Sequence, residues 1–243
     1  MARTVLVTGG SNGIGRAIAA RFAAAGERVV ITGRDQDKLK AAAAELGVEG
    51  VVCDGAVPAQ LADLARDIGP AVHVLVNNAG GNTDFEIDAT RQRSDDLERL
   101  ASGWRANLES NLMTAVLTTQ AVADLIPPGG SVISIGSIGA ERGSGSYGAA
   151  KAALAAWNLT ASAELGPRGV TANVISAGYV EGTDFFRDRL TSARRDALIA
   201  ATHDKRPGRP ADIAETAMFL ASPGARHITA QVIHVNGGAH VTR

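Results

Sequence analysis

The chain has 243 residues, 45% of them hydrophobic and 20% charged, with a formal net charge of −1. This near-neutral balance and an aromatic fraction of only 4% argue against a nucleic-acid partner, which needs a basic face or stacking rings. The lone cysteine, Cys53, excludes an internal disulfide and suits a reducing compartment. With no leader and no membrane-spanning run visible, we expect a cytoplasmic protein without a membrane partner.

Apolar runs of strand length alternate with alanine-rich segments of helical period along the chain. The predicted strands are 4–8, 29–32, 50–53, 72–77, 131–136, 171–176 and 231–235. The predicted helices are 16–25, 36–46, 59–68, 104–125, 146–166 and 211–221. This alternation predicts one α/β domain over 1–243, a Rossmann-type doubly wound seven-stranded parallel sheet with helices on both faces.

A glycine-rich turn follows the first predicted strand and leads directly into a helix. It reads Thr-Gly-Gly-Ser-Asn-Gly-Ile-Gly over residues 8–15. Glycines at such positions allow a tight turn, close approach to a pyrophosphate and close helix packing, while the helix N-terminus faces the anion. Strand, spacing and helix together predict dinucleotide binding.

The end of the second strand indicates which dinucleotide binds. A carboxylate there accepts the ribose 2′-hydroxyl of NAD, whereas an arginine accommodates the 2′-phosphate of NADP. This chain has Thr32, Gly33 and Arg34 at that point, so NADP(H) is favoured, with Thr32 and Ser11 as secondary donors. Asp35 follows one residue later, which leaves NAD(H) possible, and Arg34 could instead be a solvated loop charge.

Tyr147 and Lys151 lie four residues apart in the predicted helix 146–166, which places both side chains on one helix face. A phenol is a poor proton donor or base at neutral pH, but a nearby cation favours phenolate and lowers its pKa. Small residues surround the pair, so a flat cofactor and a carbonyl could approach closely. An amphipathic surface helix is the alternative explanation.

With these motifs the chain resembles the single-domain branch of the short-chain dehydrogenase/reductase family and is similar to 3-oxoacyl-carrier-protein reductases. The likeness spans the chain and further includes Asp54, the Asn-Asn-Ala-Gly run at 77–80, Asn111, Ser137, 173–178 and 235–238. It implies the sheet order 3-2-1-4-5-6-7 and a site outside the carboxyl ends of the strands.

The resemblance also implies roles for individual residues. Tyr147 would give a proton to a carbonyl, Ser137 would hydrogen-bond the same oxygen, Lys151 would hold the nicotinamide ribose, and Asn111 would bind a water that relays protons. The predicted cofactor-binding residues are Gly9, Ser11, Asn12, Gly13, Ile14, Gly15, Arg34, Asp54, Asn77, Ala79, Gly80, Tyr147, Lys151, Gly178, Val180 and Thr183. No metal ligand is predicted.

Several of these residues have alternatives. Asn111 could instead pin the backbone of its own helix, and Asn77 could satisfy loop amides. Ser134 lies thirteen residues before Tyr147, close to the usual family spacing, whereas Ser137 lies ten before it. We prefer Ser137 because Ser134 falls within the predicted strand and Ser137 follows its end.

The loop after the sixth strand departs from the family pattern. Ala177 replaces the usual proline before Gly178, so the loop loses a fixed φ. Thr183 is displaced by one residue, which puts its contact with the carboxamide in doubt. Gly55 stands where a larger apolar residue is common. Tyr179 has no lysine four residues on, so we expect it to line the pocket.

Two insertions, 82–103 and about 182–208, interrupt the alternation, and long insertions often carry function. The second is predicted to be a substrate lid with Phe185, Phe186 and Leu190 inside. Its arginines would form a basic rim for an acidic carrier protein, or they are simply solvated; they are Arg187, Arg189, Arg194 and Arg195. The first insertion is polar, which keeps small secondary-metabolite ketones open as substrates. Its charged residues are Asp84, Glu86, Asp88, Arg91, Arg93, Asp95 and Asp96.

We therefore expect an NADPH-dependent ketoreductase acting on a small-molecule carbonyl or alcohol substrate, possibly on an acyl carrier. An NAD-dependent alcohol dehydrogenase on the same scaffold and a dinucleotide-sensing protein without turnover are the alternatives. The resemblance further implies a homotetramer that pairs the long helices 104–125 and 146–166.

Overall fold

The computed structural model describes residues 2–86, 97–186 and 189–242. Its seven strands form one parallel sheet in the order β3-β2-β1-β4-β5-β6-β7, which confirms the predicted fold class and strand order. The strands are β1 (Thr4–Thr8), β2 (Arg28–Gly33), β3 (Glu49–Val52), β4 (Val74–Asn77), β5 (Ser131–Ser137), β6 (Thr171–Ala177) and β7 (Val232–Val235).

Helices fill the connections between the strands. They are α1 (Gly13–Ala24), α2 (Gln36–Leu46), α3 (Pro58–Asp67), α4 (Leu97–Leu108), α5 (Thr114–Val122), α6 (Gly139–Arg142), α7 (Gly145–Leu165), α8 (Ser192–Ala200) and α9 (Pro210–Leu220). A π-helical segment, Glu109–Met113, joins α4 to α5.

The predicted helix 104–125 was wrong at its beginning, because α4 starts at Leu97. The prediction treated residues up to 103 as a polar insertion, yet an amphipathic helix tolerates charged residues on its outer face. The predicted end of the helix 146–166 is confirmed, because α7 ends at Leu165 with Gly166 as its C-cap residue. Gly166–Arg168 continues as a 3₁₀ turn, and the chain reverses at Gly169, whose φ of 73° is in the left-handed region.

Side chains alternate across the sheet and create two apolar layers. Val5 and Val7 of β1 pack with α1 and α9 through residues such as Ile18 and Ile213. Leu6, between them, faces the opposite layer, where α3, α5 and α7 pack. This period of two explains why the strands are apolar on both faces.

Within the described ranges, no helix has the length and apolar character needed to span a bilayer. The charged residues Asp88, Arg91, Arg93, Asp95 and Asp96 of the first insertion, and Arg187 of the second, lie outside the described residues.

Candidate active site

The carboxyl ends of the parallel strands bring the predicted site residues to one edge of the sheet. β1 ends at Thr8, before the glycine-rich turn, and β2 ends at Gly33, before Arg34, whereas β5 ends at the predicted site residue Ser137 itself. In open α/β sheets this edge is where ligands bind.

Steric requirements explain the glycines of the turn after β1. Gly9 and Gly13 have φ values of 64° and 52°, which side chains rarely adopt. A Cβ on Gly15 would lie 2.3 Å from the Gly9 carbonyl oxygen, and one on Gly10 would lie 2.5 Å from Ile31 Cγ2. The turn therefore brings bare backbone to the N-terminus of α1, where Asn12 makes no side-chain cap. Ser11 and Ile14 lie in the same turn. This cradle fits a dinucleotide pyrophosphate.

The side chains of Thr8 and Asn78 form a clamp that holds this turn, and the sequence analysis did not predict it. The Thr8 hydroxyl accepts hydrogen bonds from the backbone N–H groups of Asn78 and Ala79, both at 3.0 Å. Asn78 Nδ2 donates to the Thr8 and Gly9 carbonyls, again at 3.0 Å. The Asn-Asn-Ala-Gly run was the available signal, but it did not reveal that the second asparagine fixes the turn.

Asn77 has a different setting from its neighbour. Its side chain is buried, with Nδ2 donating to Thr119 Oγ1 at 2.9 Å and lying 3.5 Å from Ser134 Oγ. The side chain is therefore engaged between β4, β5 and α5, rather than in the turn after β1.

At the end of β2, the two charged residues are used differently. Asp35 caps α2, its Oδ1 accepting from the Lys38 backbone N–H at 3.1 Å. Arg34 is 77% exposed, and its guanidinium lies 4.0 Å from the Asp54 carboxylate. Asp54 also accepts from the Ala56 backbone N–H at 3.0 Å. Because Asp35 is occupied as a cap, Arg34 is the group that extends from the strand end.

Ser137, Tyr147 and Lys151 come together beside this edge. The Ser137 hydroxyl, on the last residue of β5, is close enough to Tyr147 to lower the pKa of the phenol, and it accepts from the Gly139 N–H at 3.0 Å. Lys151 Nζ donates to the Ile135 carbonyl at 2.8 Å and lies 5.8 Å from the centre of the Tyr147 ring. Ser134, by contrast, is fully buried within the strand. The geometry thus joins Ser137, and not Ser134, to Tyr147.

Burial dominates the ionisation of the Tyr147 and Lys151 pair. It raises the pKa of Tyr147 to about 12, while the Ser137 hydrogen bond acts in the opposite direction. It lowers the pKa of Lys151 to about 8. The expectation of a lowered phenol pKa was wrong, because loss of hydration on burial is the largest effect on Tyr147 and raises its pKa. Both shifts favour the neutral forms, so Tyr147 is a protonated donor at neutral pH.

Asp84 caps the helix that carries Tyr147, and this contact was also missed. One carboxylate oxygen, Oδ2, accepts from the Tyr147 backbone N–H at 3.2 Å. The other, Oδ1, accepts from Asn107 Nδ2 at 2.9 Å and from the Ser146 hydroxyl. The residue at the N-cap position, Ser144, makes no side-chain cap. A carboxylate from the first insertion thus supplies the cap and suits the positive end of the helix dipole.

Asn111 lies in the π-helical segment and is almost fully buried. Its Nδ2 donates to the Gly81 carbonyl at 2.9 Å and the Asn107 carbonyl at 3.0 Å, and its Oδ1 accepts from the Gly81 N–H at 3.1 Å. A Cβ on Gly80 would lie 2.5 Å from that oxygen. The alternative reading, that Asn111 pins backbone, is therefore observed, and a water relay stays a prediction.

The start of the second insertion covers both the glycine-rich turn and Tyr147. Asn12 Nδ2 donates to Asp184 Oδ2 at 3.0 Å, and a Cβ on Gly13 would lie 3.5 Å from Thr183 Cβ. The Thr183 hydroxyl donates to the Val180 carbonyl at 3.1 Å. Gly178, which begins this loop, donates its N–H to the Val235 carbonyl at 3.2 Å.

Aromatic contacts link the lid to the site. Phe185 packs edge-on against Tyr147, with ring centres 5.3 Å apart. Phe186 packs in the same way against Tyr179 at 5.9 Å. The predicted apolar lid therefore contacts the Tyr147 ring through Phe185, and Tyr179 contacts the lid through Phe186. Arg195 of α8 pairs with Glu181 at 3.3 Å.

Comparison with known proteins gives a consistent set of relatives. A family model described as "Enoyl-(Acyl carrier protein) reductase" matches residues 9–240. The chain is 36% identical over 236 residues to a protein of Mycobacterium tuberculosis (strain H37Rv) named as an oxidoreductase, with 97% of each chain covered. It is 34% identical over 250 residues to 3-oxoacyl-(acyl-carrier-protein) reductase FabG of Escherichia coli (strain K12), with 98% of each covered.

Solved structures agree with this. A short-chain dehydrogenase/reductase of the glucose/ribitol dehydrogenase type from Brucella melitensis superposes with a TM-score of 0.87 at 30% identity, covering 99% of this chain and 97% of that one. A short-chain dehydrogenase from Burkholderia cenocepacia, in complex with NADP, gives 0.82 at 31% identity, covering 98% and 97%.

Proposed function

The chain belongs to the short-chain dehydrogenase/reductase family of NAD(P)-dependent oxidoreductases, and we propose that it reduces a ketone carbonyl with NADPH. The observation that carries this proposal is the convergence of two hydroxyl groups, those of Ser137 and Tyr147, beside a glycine-rich dinucleotide cradle. Two neighbouring hydroxyl donors suit an oxygen that gains negative charge during reduction.

The preference for NADPH rests on the end of β2. Arg34 is 77% exposed and pairs with Asp54 at the long distance of 4.0 Å, so it can offer a planar fork to a 2′-phosphate. Asp35, the residue that would favour NADH, has its carboxylate bound to the start of α2. The Burkholderia relative was solved with NADP, which supports the same choice.

In the proposed mechanism, bound NADPH supplies a hydride to the carbonyl carbon. Tyr147 and Ser137 donate hydrogen bonds to the carbonyl oxygen, and Tyr147 transfers its proton as charge develops there. Because burial keeps the pKa of Tyr147 at about 12, the donor is fully protonated at neutral pH. Lys151, one helical turn away, would hold the nicotinamide ribose and would stabilise the phenolate left behind.

The proposed proton supply runs through Asn111. Its side chain is fully used in holding Gly81 and Asn107, so the group it would offer to a relaying water is its backbone carbonyl. The π-helical geometry at this residue breaks the regular ladder of helical hydrogen bonds, as such segments often do at functional sites.

For the substrate, we propose a 3-oxoacyl thioester or a small secondary-metabolite ketone. The apolar ring of Phe185 against Tyr147 suits an acyl chain or an aromatic ketone next to the reacting carbon. The name of the Escherichia coli relative, a reductase of 3-oxoacyl-carrier-protein, supports the thioester. The polar Asp84 and Asn107 network behind the site keeps the small ketone as the second candidate.

The test is to follow NADPH absorbance with a panel of acetoacetyl thioesters, cyclic ketones and aromatic ketones, and to repeat the best reaction with NADH. We expect turnover with at least one ketone class and a lower KM for NADPH than for NADH. A clear NADH preference would remove the cofactor assignment. Silence across the panel, with NADPH still bound, would favour a dinucleotide-sensing protein.

A further inference from the structure

Two histidines and a glutamate from distant parts of the chain meet in a cluster that contains neither Ser137 nor Tyr147. His234 lies on β7, His240 in the C-terminal tail and Glu141 on the short helix α6, and their ligand atoms all lie within 4.8 Å of one another. We propose that these three side chains bind a late first-row divalent cation, for which Zn²⁺ is the probe.

The strongest support comes from the hydrogen bonding of the two imidazoles. His234 Nδ1 and His240 Nε2 are both buried, and neither has a hydrogen-bond partner among the residues that the structure describes. The two rings lie 5.2 Å apart, tilted by 50°. A buried polar nitrogen without a partner costs free energy, and each such atom in a native protein calls for an explanation. A metal ion between the rings would satisfy both nitrogens at once.

The backbone around the histidines is held in place by its own hydrogen bonds. Asn236 Nδ2 donates to the His240 carbonyl at 3.0 Å, and its Oδ1 accepts from the Gly238 N–H at 2.9 Å. His234 is fixed in the sheet, opposite Ser176 of β6. Both imidazoles therefore start from rigid positions, as metal sites require of their ligands.

The type of ligand indicates the type of metal. Imidazole suits zinc, copper and nickel, whereas magnesium and calcium prefer oxygen ligands. Two histidines and one glutamate form a known zinc ligand set that leaves a fourth position for water. Zinc bonds of about 2.0–2.2 Å require the ligand atoms to move closer together. The exposed Glu141 side chain can make that adjustment.

The location gives the site a consequence for the molecule. Glu141 lies between Ser137 and Tyr147 in the chain, on a helix whose Arg142 already contacts the Ala239 carbonyl. A bound metal would fasten the segment between these two residues to the tail. The proposal itself rests only on the ligand cluster, so it stands or falls independently of the reductase activity.

The experiment uses untagged protein that has been stripped with a chelator and dialysed, and measures Zn²⁺ binding by isothermal titration. We expect about one Zn²⁺ per chain. Removing a group that only hydrogen-bonds to a metal ligand typically lowers metal affinity by about 10–100-fold, and removing a ligand itself should cost more. His234→Gln and His240→Gln should therefore each weaken Zn²⁺ binding by about 100-fold or more. The exposed His227→Gln is the matched control and should bind like the wild type.

A second readout guards against variants that misfold. Glu141→Gln changes only an exposed side chain, and Zn²⁺ should raise the Tm of the wild type more than the Tm of this variant. Co²⁺ substitution should give the visible spectrum of a four-coordinate nitrogen and oxygen site. Absence of Zn²⁺ binding, or equal binding by the wild type and the Glu141, His234 and His240 variants, would overturn the proposal.

Discussion

Tyr147 and Lys151 are both buried, and burial shifts the two pKa values in opposite directions. The phenol reaches about 12 and the ammonium about 8. Their spacing could be read from the sequence, but the direction of the tyrosine shift could not, because it depends on how much water the fold removes from the pair. Phe185, which packs on the Tyr147 ring, is part of that exclusion and comes from a segment 38 residues further along the chain.

Lys151 should cost stability at neutral pH. Its folded pKa of about 8 lies below the ordinary 10.5, so the folded protein binds the proton less tightly than the unfolded chain. The penalty is fully present below about pH 8 and disappears as pH rises towards 10.5. We expect Lys151→Met to raise the free energy of unfolding by about 2 kcal/mol at pH 7, since each pKa unit is worth about 1.4 kcal/mol and the Ile135 hydrogen bond is lost.

Urea unfolding at about pH 7 and about pH 9.5 checks this sign, because the gain from Lys151→Met must shrink at the higher pH. Lys151→Met should also have lost turnover, since methionine can neither bind the ribose nor stabilise a phenolate. A gain that grew with pH would contradict the linkage.

Arg34 should control the choice of cofactor. Hydrogen bonds to a charged group are worth about 1.5–3 kcal/mol, so Arg34→Ala should raise the KM for NADPH by about 10–100-fold and leave the KM for NADH almost unchanged. Steady-state kinetics with both cofactors measure this. Lys40→Ala, an exposed cation on α2, is the control. An equal effect of Arg34→Ala on both cofactors would remove the proposed phosphate contact.

At the scale of elements, the apolar runs were enough to predict every strand within two residues. The central strands β1, β4, β5 and β6 are buried along almost their whole length and carry mainly apolar residues. The glycine-rich turn and helix α7 were predicted equally well. The Asp84 cap was not predictable, because its partner Tyr147 is 63 residues away and no local spacing records such a contact. The Asn78 clamp, at 70 residues from Thr8, was missed for the same reason.

Asp84 should position Tyr147 by holding the first turn of α7. We expect Asp84→Ala to lower kcat, while the loss of a helix cap costs about 1–2 kcal/mol of stability. Asp212→Ala is the matched control, because Asp212 caps the distant helix α9 through the Arg209 N–H at 2.8 Å. This control should lose similar stability and keep its kcat.

Kinetics and urea unfolding of both variants separate the two effects. If Asp84→Ala and Asp212→Ala lost stability alike and neither lost kcat, the cap would be structural only. Asp84→Asn, which keeps the shape, should recover part of the rate.

For the whole molecule, an exposed apolar stripe on α4 is consistent with the predicted tetramer. Leu97, Leu100 and Trp104 are 74%, 53% and 42% exposed and follow helical spacing. Pairing of α4 and α5 with a second copy would cover them. We expect light scattering to give a tetramer, and Leu100→Arg to dissociate it.

Val57→Arg is the control for this experiment, because Val57 is an isolated apolar residue with 37% exposure at the start of α3. It should remain tetrameric. A wild-type monomer would contradict the predicted assembly. A double variant that combines Leu100→Arg with a charged residue in place of Trp104 would also contradict it if that variant remained a tetramer.

In the proposed reaction, the Tyr147 hydroxyl delivers the proton during NADPH-dependent ketone reduction, and Tyr147→Phe is a direct test because only that hydroxyl is lost. NADPH oxidation by this variant, on the best ketone of the panel, should fall by about 10²–10⁴-fold, the usual contribution of a positioned acid. NADPH binding, followed by fluorescence, should remain. A Tyr147→Phe protein that reduces the ketone at the wild-type rate would contradict the account.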